Sequence, residues 1–143
     1  FGAMAGRGGR LLIGFDLHKS RETLLRAYDD SDGVTAAFNL NILERLNREL
    51  GADFDVDAYR HEAVWNDGLN RIEMHIVSER PQRVRLAGRT IDFEPGETIH
   101  TENSHKFEPD EMLAELAEAG FEPEAMWFDD RRFFAVALLR HAA

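Results

Sequence analysis

The pattern of apolar and polar positions divides the chain into three parts, and the first part predicts one strand and two helices. An almost unbroken apolar run at 11–17 predicts a strand covered on both faces, as in a parallel sheet. Residues 23–27 predict a short helix with Ser20 as its cap. The stretch 34–50 predicts a longer helix, which Gly51 can close. Its apolar face is traced at three- and four-residue spacing by Ala37, Leu40, Leu43, Leu46, Asn47 and Leu50.

From Tyr59 onward, in the middle part of the chain, apolar and polar residues alternate with a period of two. Residues 59–66, 71–78, 83–87 and 89–93 predict four antiparallel strands joined by short turns. The following stretch, "ETIHTENSHKF" at 97–107, has two interpretations. A solvated loop is favoured because the segment is polar and irregular. If it is extended instead, Glu102 and Ser104 share one face and Asn103 points away, so that Glu102 and Ser104 could hold a polar ring.

The last part predicts a helix that begins near Pro109 and ends before Gly120. Two strands at 124–130 and 132–140 follow it, and the second is strongly apolar. A buried strand at the front of the chain and a helix with two strands at the back can belong to one sheet. The sequence therefore predicts an α/β fold with an α+β unit inserted between these parts.

Composition excludes several classes of function. The chain of 143 residues carries a formal charge of −10 and no basic stripe, so we expect no nucleic-acid partner. Cysteine is absent, which removes disulfides, thiolate nucleophiles and zinc–thiolate sites from consideration. No apolar run is long enough to cross a membrane, and no secretory signal pattern opens the chain. These properties predict a cytoplasmic protein with no membrane partner.

The remaining motifs give weak support for a metal or phosphate site. The six histidines lack the helical spacing of a zinc hydrolase, and His61 and His75 could meet only across strands of unknown register. Asp29 and Asp30 precede a glycine, as in a solvated turn. The glycines of "FGAMAGRGGR" come before a strand rather than after one, which is the wrong order for a phosphate loop. The sequence predicts no metal, and the first residues resemble either a vector-derived remnant or a chain entered partway through a larger protein.

Three longer blocks carry a family resemblance. "LLIGFDLHKSRETLLRAYDDSDGVTAAFNLNILERLNRELGADFD", "RIEMHIVSE" and "ETIHTENSHKF" resemble the C-terminal half of the histidine-specific, S-adenosylmethionine-dependent methyltransferases of the ergothioneine-biosynthesis type. The resemblance implies that 1–18 contain the fifth strand of a Rossmann-like core and that 19–106 form the substrate-binding domain. It also implies that 107–143 form the closing helix and antiparallel strands of that core.

The resemblance further implies a set of substrate-binding residues. Tyr28 matches the tyrosine that binds the amino-acid carboxylate, Glu102 and Ser104 match the pair that recognises the imidazole, and Met74 lines that pocket. No residue is expected to act as an acid or base, because methyl transfer to an amine chiefly requires alignment and exclusion of water. The cofactor, S-adenosylmethionine, is expected to bind in the half of the family fold that this chain lacks.

Three hypotheses follow from these observations. The first is N-methylation of the α-amine of histidine or a related amino acid, with this chain as the substrate-binding half and inactive by itself. The second is a binding module for a small amine or amino acid without catalysis. The third is a structural fragment that self-associates through the exposed edge of its first strand.

Overall fold

The computed structural model describes residues 1–142 and shows an α/β chain with several antiparallel sheets. The chain forms two compact units, 1–19 with 105–143, and 20–104. Within residues 1–142, no helix is both long and apolar enough to span a bilayer. The helices are α1 (Gly2–Ala5), α2 (Arg21–Tyr28), α3 (Val34–Leu50) and α4 (Pro109–Glu118). The strands are β1 (Arg10–Asp16), β2 (Tyr59–Asn66), β3 (Arg71–Ser78), β4 (Gln82–Leu86), β5 (Arg89–Phe93), β6 (Thr98–His105), β7 (Phe121–Phe128) and β8 (Phe134–His141).

The first unit is built on a three-stranded sheet in the order β1-β8-β7, with both pairs antiparallel. Leu11 lies opposite Leu139, and Phe15 lies opposite Ala135. Helix α4 packs its buried residues Met112 and Leu116 into the same core. The prediction that β1 is buried on both faces is wrong for the described chain, because Leu12 is 66% exposed. One face of β1 packs in the core through Phe15, and the other face, which carries Leu12, is not covered by any of the described residues.

Asp16, at the end of β1, forms a buried ion pair within the first unit. Its carboxylate accepts hydrogen bonds from Lys19 and from Lys106, whose Nζ lies 2.8 Å away on a fully buried side chain. Burial raises the pKa of Asp16, but the hydrogen bonds from the two lysines outweigh burial and leave that pKa below its usual value. Asp16 therefore balances the charge of a buried lysine.

The second unit contains a sheet in the order β2-β3-β6 and a separate β4–β5 hairpin. Side chains of β3 alternate between two faces. Ile72, Met74 and Ile76 form what we call the helix face, because they pack with Leu24 of α2 and Leu43 of α3. Glu73 and His75 lie on the opposite side, which we call the charged face.

The ends of the helices follow from local sequence signals. Ser20 accepts a hydrogen bond from the backbone N–H of Thr23, and Gly51 closes α3 in the left-handed conformation at φ 63°, as predicted. Asp30 caps α3 from a position before the helix, since its carboxylate accepts from Val34 and Thr35. These bonds, led by those to Thr35, lower the pKa of Asp30 to about 2. Leu50 is exposed, so its predicted place on the buried face is wrong.

The four predicted strands of the middle part are confirmed as β2 to β5. The favoured loop interpretation of "ETIHTENSHKF" is wrong, because eight of its residues form β6 beside β3. Thr101 and Ile99 turn toward the helices, which supplies the apolar and hydrogen-bonding contacts that a solvated loop would lack. The backbone of this segment is therefore extended, as in the alternative interpretation.

Candidate functional site

Two predicted site residues meet directly in the second unit. Tyr28 is the last residue of α2, and its phenolic oxygen lies 2.5 Å from the hydroxyl oxygen of Ser104 on β6. Both side chains are half-buried. The Tyr28 ring packs on the cluster of Leu24, Ile72 and Met74, so the apolar part of the ring is fixed while its polar end faces Ser104.

Met74 lies below this pair on the helix face. Its side chain is 3% exposed and shares a packed cluster with the Tyr28 ring. Its backbone carbonyl accepts a hydrogen bond from the Thr101 hydroxyl at 2.9 Å. Three of the four predicted residues, Tyr28, Met74 and Ser104, therefore belong to one connected region.

Glu102 lies in a neighbouring cleft. Its side chain is exposed and lines a cavity of about 230 Å³ between β6 and α3. The other lining residues combine apolar, amide and cationic groups, namely Phe38, Asn39, Asn41, Ile42, Arg45 and Thr101. Such a lining can hold a small molecule that carries both an apolar part and charged groups.

The course of β6 explains why Glu102 and Ser104 differ in burial. Thr101 and Ser104 are three residues apart, and strict alternation would place them on opposite faces. Both nevertheless reach helical residues on the helix face, Thr101 through Asn39 and Ser104 through Tyr28. Ser104 meets the long Tyr28 side chain near the end of β6 and is half-buried there, whereas Glu102 is exposed.

A network of polar side chains holds the backbone carbonyl of Tyr28. The Asn39 amide donates to Nδ1 of His61 at 2.9 Å and to the His75 carbonyl at 3.1 Å, and its oxygen accepts from the Thr101 hydroxyl at 2.6 Å. Because Nδ1 of His61 accepts, Nε2 carries the proton and donates to the Tyr28 carbonyl at 2.7 Å. The network fixes the backbone of Tyr28 to both α3 and the sheet.

The sequence reasoning missed Asn39, His61 and Thr101. Asn39 is only 4% exposed, and it lies four residues before Leu43, which is fully buried. A polar residue on the buried stripe of a helix was the available signal, because a buried amide requires partners. His61 and His75 do not meet, since β2 and β3 pair His61 with Ile76 and Glu62 with His75.

Comparison with known proteins shows the family to which the chain belongs. The sequence profile of the family described as "Histidine-specific methyltransferase, SAM-dependent" matches residues 1–141. The chain is 49% identical over 133 residues to the histidine N-alpha-methyltransferases of Mycolicibacterium smegmatis and of Mycobacterium tuberculosis. It is 29% identical over 140 residues to an L-tryptophan methyltransferase of Psilocybe serbica.

The matches cover nearly all of this chain but a smaller share of each relative. Each mycobacterial match covers 92% of this chain but 41% of the relative, and the fungal match covers 94% and 38%. The chain therefore spans less than half the length of the relatives it matches. The family match over nearly the whole chain and the high mycobacterial identity confirm the resemblance, and the chain belongs to the histidine-specific, S-adenosylmethionine-dependent methyltransferases.

Proposed function

We propose that this chain supplies the substrate-binding part of an enzyme that methylates the α-amine of histidine or a related amino acid. The observation that carries the proposal is the direct contact of Tyr28 with Ser104, held by the Asn39–His61 network. The family match and the printed names of the two mycobacterial relatives support the same reaction class.

Each predicted residue has a definite role in this proposal. The Tyr28 phenol donates to the substrate carboxylate, and Glu102 and Ser104 receive the imidazole. Met74 forms the apolar floor beneath the substrate. Binding exchanges the Tyr28–Ser104 hydrogen bond for bonds from both hydroxyl groups to the ligand. The protein thereby orients the amine, which is the main requirement of this reaction class.

The described residues do not fit the cofactor. Gly6, Gly8 and Gly9 precede β1, whereas a glycine-rich cofactor turn follows a strand and opens a helix. The chain alone is therefore proposed to bind substrate without turnover. In this proposal 1–18 hold the fifth strand of a Rossmann-like core, 19–106 form the substrate domain and 107–143 complete the core. A cytoplasmic location and the absence of nucleic-acid or membrane partners stay predictions.

Calorimetric titration of the chain with histidine, with S-adenosylhomocysteine and with both together tests the proposal. We expect histidine alone to bind, and Tyr28→Phe and Ser104→Ala each to weaken binding by about tenfold, since each removes one hydrogen bond to a charged or polar group. Tyr59→Phe is the matched control, because it removes a phenol from the other apolar core of the same unit. Equal affinities in the Tyr28 and Tyr59 variants would remove Tyr28 from the site.

A related substrate is the second candidate. The fungal L-tryptophan methyltransferase aligns over nearly the whole chain, and Phe38 and Ile42 give the Glu102 cleft an apolar wall. Titration with tryptophan under the same conditions separates the two. Tighter binding of tryptophan than of histidine would favour the larger ring. No binding of either would favour the hypothesis of a fragment that self-associates through the edge of β1.

A further inference from the structure

The charged face of the β2-β3-β6 sheet brings together a group of side chains that the proposed function does not use. Glu73 and His75 are two residues apart on β3, so they point the same way. His100 lies on the neighbouring strand, and its ring stacks on that of His75 with centroids 4.6 Å apart. One carboxylate and two imidazoles therefore meet on the side opposite α2 and α3.

The distances between these groups are those of a ligand set. One ligand atom from each of the three residues lies within 4.8 Å of the other two. Nε2 of His75 lies 3.3 Å from Oε2 of Glu73. Two ligand atoms bound to one tetrahedral ion at bond lengths near 2.0 Å are about 3.3 Å apart. Only His100, which is exposed on the last strand of the sheet, has to move closer.

The Glu73 carboxylate is oriented by hydrogen bonds and is ionised. Arg71 and Asn66 both donate to Oε1 of Glu73, which leaves Oε2 toward His75. The hydrogen bonds from Arg71 and then Asn66 lower the pKa of Glu73 to about 2, so the group is ionised at neutral pH. Nδ1 of His75 is buried and has no hydrogen-bond partner among residues 1–142, so the ring is held by Nε2 and by stacking.

We propose that Glu73, His75 and His100 form a binding site for one divalent transition-metal ion such as Zn²⁺ or Ni²⁺. The proposal is independent of the methyltransferase reaction and replaces the sequence prediction of no metal. Two imidazoles favour such ions over Mg²⁺ and Ca²⁺, which prefer all-oxygen sites. The nearby Arg71 guanidinium repels all divalent cations alike, so the selectivity comes from the two imidazoles. Three protein ligands leave a fourth position for water.

Calorimetric titration of the untagged chain with NiCl₂ and ZnCl₂ at pH 7.5 tests the site. We expect one ion per chain and no binding of MgCl₂. His100→Gln and Glu73→Gln should each weaken binding by at least about tenfold, since each removes one of three ligands. His105→Gln is the matched control, because it removes an exposed histidine outside the cluster.

Two results would contradict the proposed metal site. No binding of either ion by the wild-type chain would overturn the proposal, and so would equal weakening by His100→Gln and His105→Gln. His100 is exposed, so its substitution keeps the fold and the test does not depend on the half-buried positions. Loss of histidine binding in the titrations of the proposed function would leave the metal result unchanged.

Discussion

The polar groups on the two faces of β3 differ at one member each, since Asn39 on the helix face is buried and His100 on the charged face is exposed. On the helix face, the network of Asn39, His61 and Thr101 is enclosed between α3 and the sheet, and it positions Tyr28. On the charged face, Glu73, His75 and His100 lie in half-buried or exposed positions. The buried Asn39 amide is costly to leave without partners because it has no access to water, whereas the exposed His100 can exchange partners with solvent. One strand can therefore support the proposed substrate site on one side and the proposed ion site on the other.

The largest expected effect is on the helix face, at Asn39. Asn39→Ala removes the Asn39 hydrogen bonds to His61 Nδ1 and the His75 carbonyl, and it leaves the Thr101 hydroxyl with the Met74 carbonyl as its acceptor. Leaving a buried polar group unpaired costs about 1–3 kcal/mol. We therefore expect the free energy of unfolding to fall by roughly 3 kcal/mol, measured by urea denaturation.

Asn41→Ala on the same helix is the control for Asn39. Asn41 is exposed, so its substitution should change the free energy of unfolding by less than about 0.5 kcal/mol. Similar effects of the two substitutions would mean that the Asn39 network contributes no stability, and the contrast between the two faces of β3 would lose its basis.

A smaller effect is expected for the Tyr28–Ser104 contact. Tyr28→Phe should lower the free energy of unfolding by about 1 kcal/mol, because one hydrogen bond between half-buried hydroxyl groups is lost. A double-mutant cycle with Ser104→Ala isolates the coupling between the two groups. Additive effects would show that the hydroxyl groups do not interact in solution.

The fold could be predicted from local signals wherever those signals agree with packing. The cap at Ser20, the closure at Gly51 and the alternating strands β2 to β5 follow from residue type and spacing alone. The strand β6 could not be predicted in this way, because its polar composition is typical of a loop. Its pairing with β3 and its hydrogen bonds to α3 depend on residues far away in the sequence.

The candidate site was predictable only in part, for a similar reason. Family resemblance supplied Tyr28, Met74, Glu102 and Ser104, and the structure joins three of them. The residues that position Tyr28 come from α3, β2 and β6, so no spacing in the sequence connects them. The Glu73–His75–His100 cluster likewise depends on the neighbouring positions of β3 and β6.

The charged face should respond to acid. The pKa of Glu73 is lowered to about 2 in the folded chain, mainly by the Arg71 hydrogen bond, against about 4.3 for an ordinary glutamate. A lowered pKa stabilises the fold above the ordinary value, and this contribution is lost as pH falls from about 4 toward 2. Glu73→Gln should therefore flatten the dependence of the unfolding free energy on pH in this range.

Glu44→Gln is the control for Glu73, since Glu44 is an exposed residue of α3. Urea denaturation of the wild type and both variants at several pH values between 5 and 2 makes the comparison. The acid dependence should be unchanged in the Glu44 variant. If the Glu73 variant also retained the full dependence, the Arg71–Glu73 interaction would be too weak in solution to hold the carboxylate for an ion.

The smallest expected effect is that of His100→Gln on stability. His100 is exposed, its ring stacks on that of His75, and its Nε2 lies 3.2 Å from the Glu102 carbonyl oxygen. We expect the free energy of unfolding without metal to change by less than about 0.5 kcal/mol. With excess NiCl₂ the wild type should gain stability that rises with the logarithm of the ion concentration over its dissociation constant, and at the same concentration the variant should gain at least about 1.4 kcal/mol less. A ligand-dependent difference between chains of equal intrinsic stability would assign His100 to ion binding rather than to the fold.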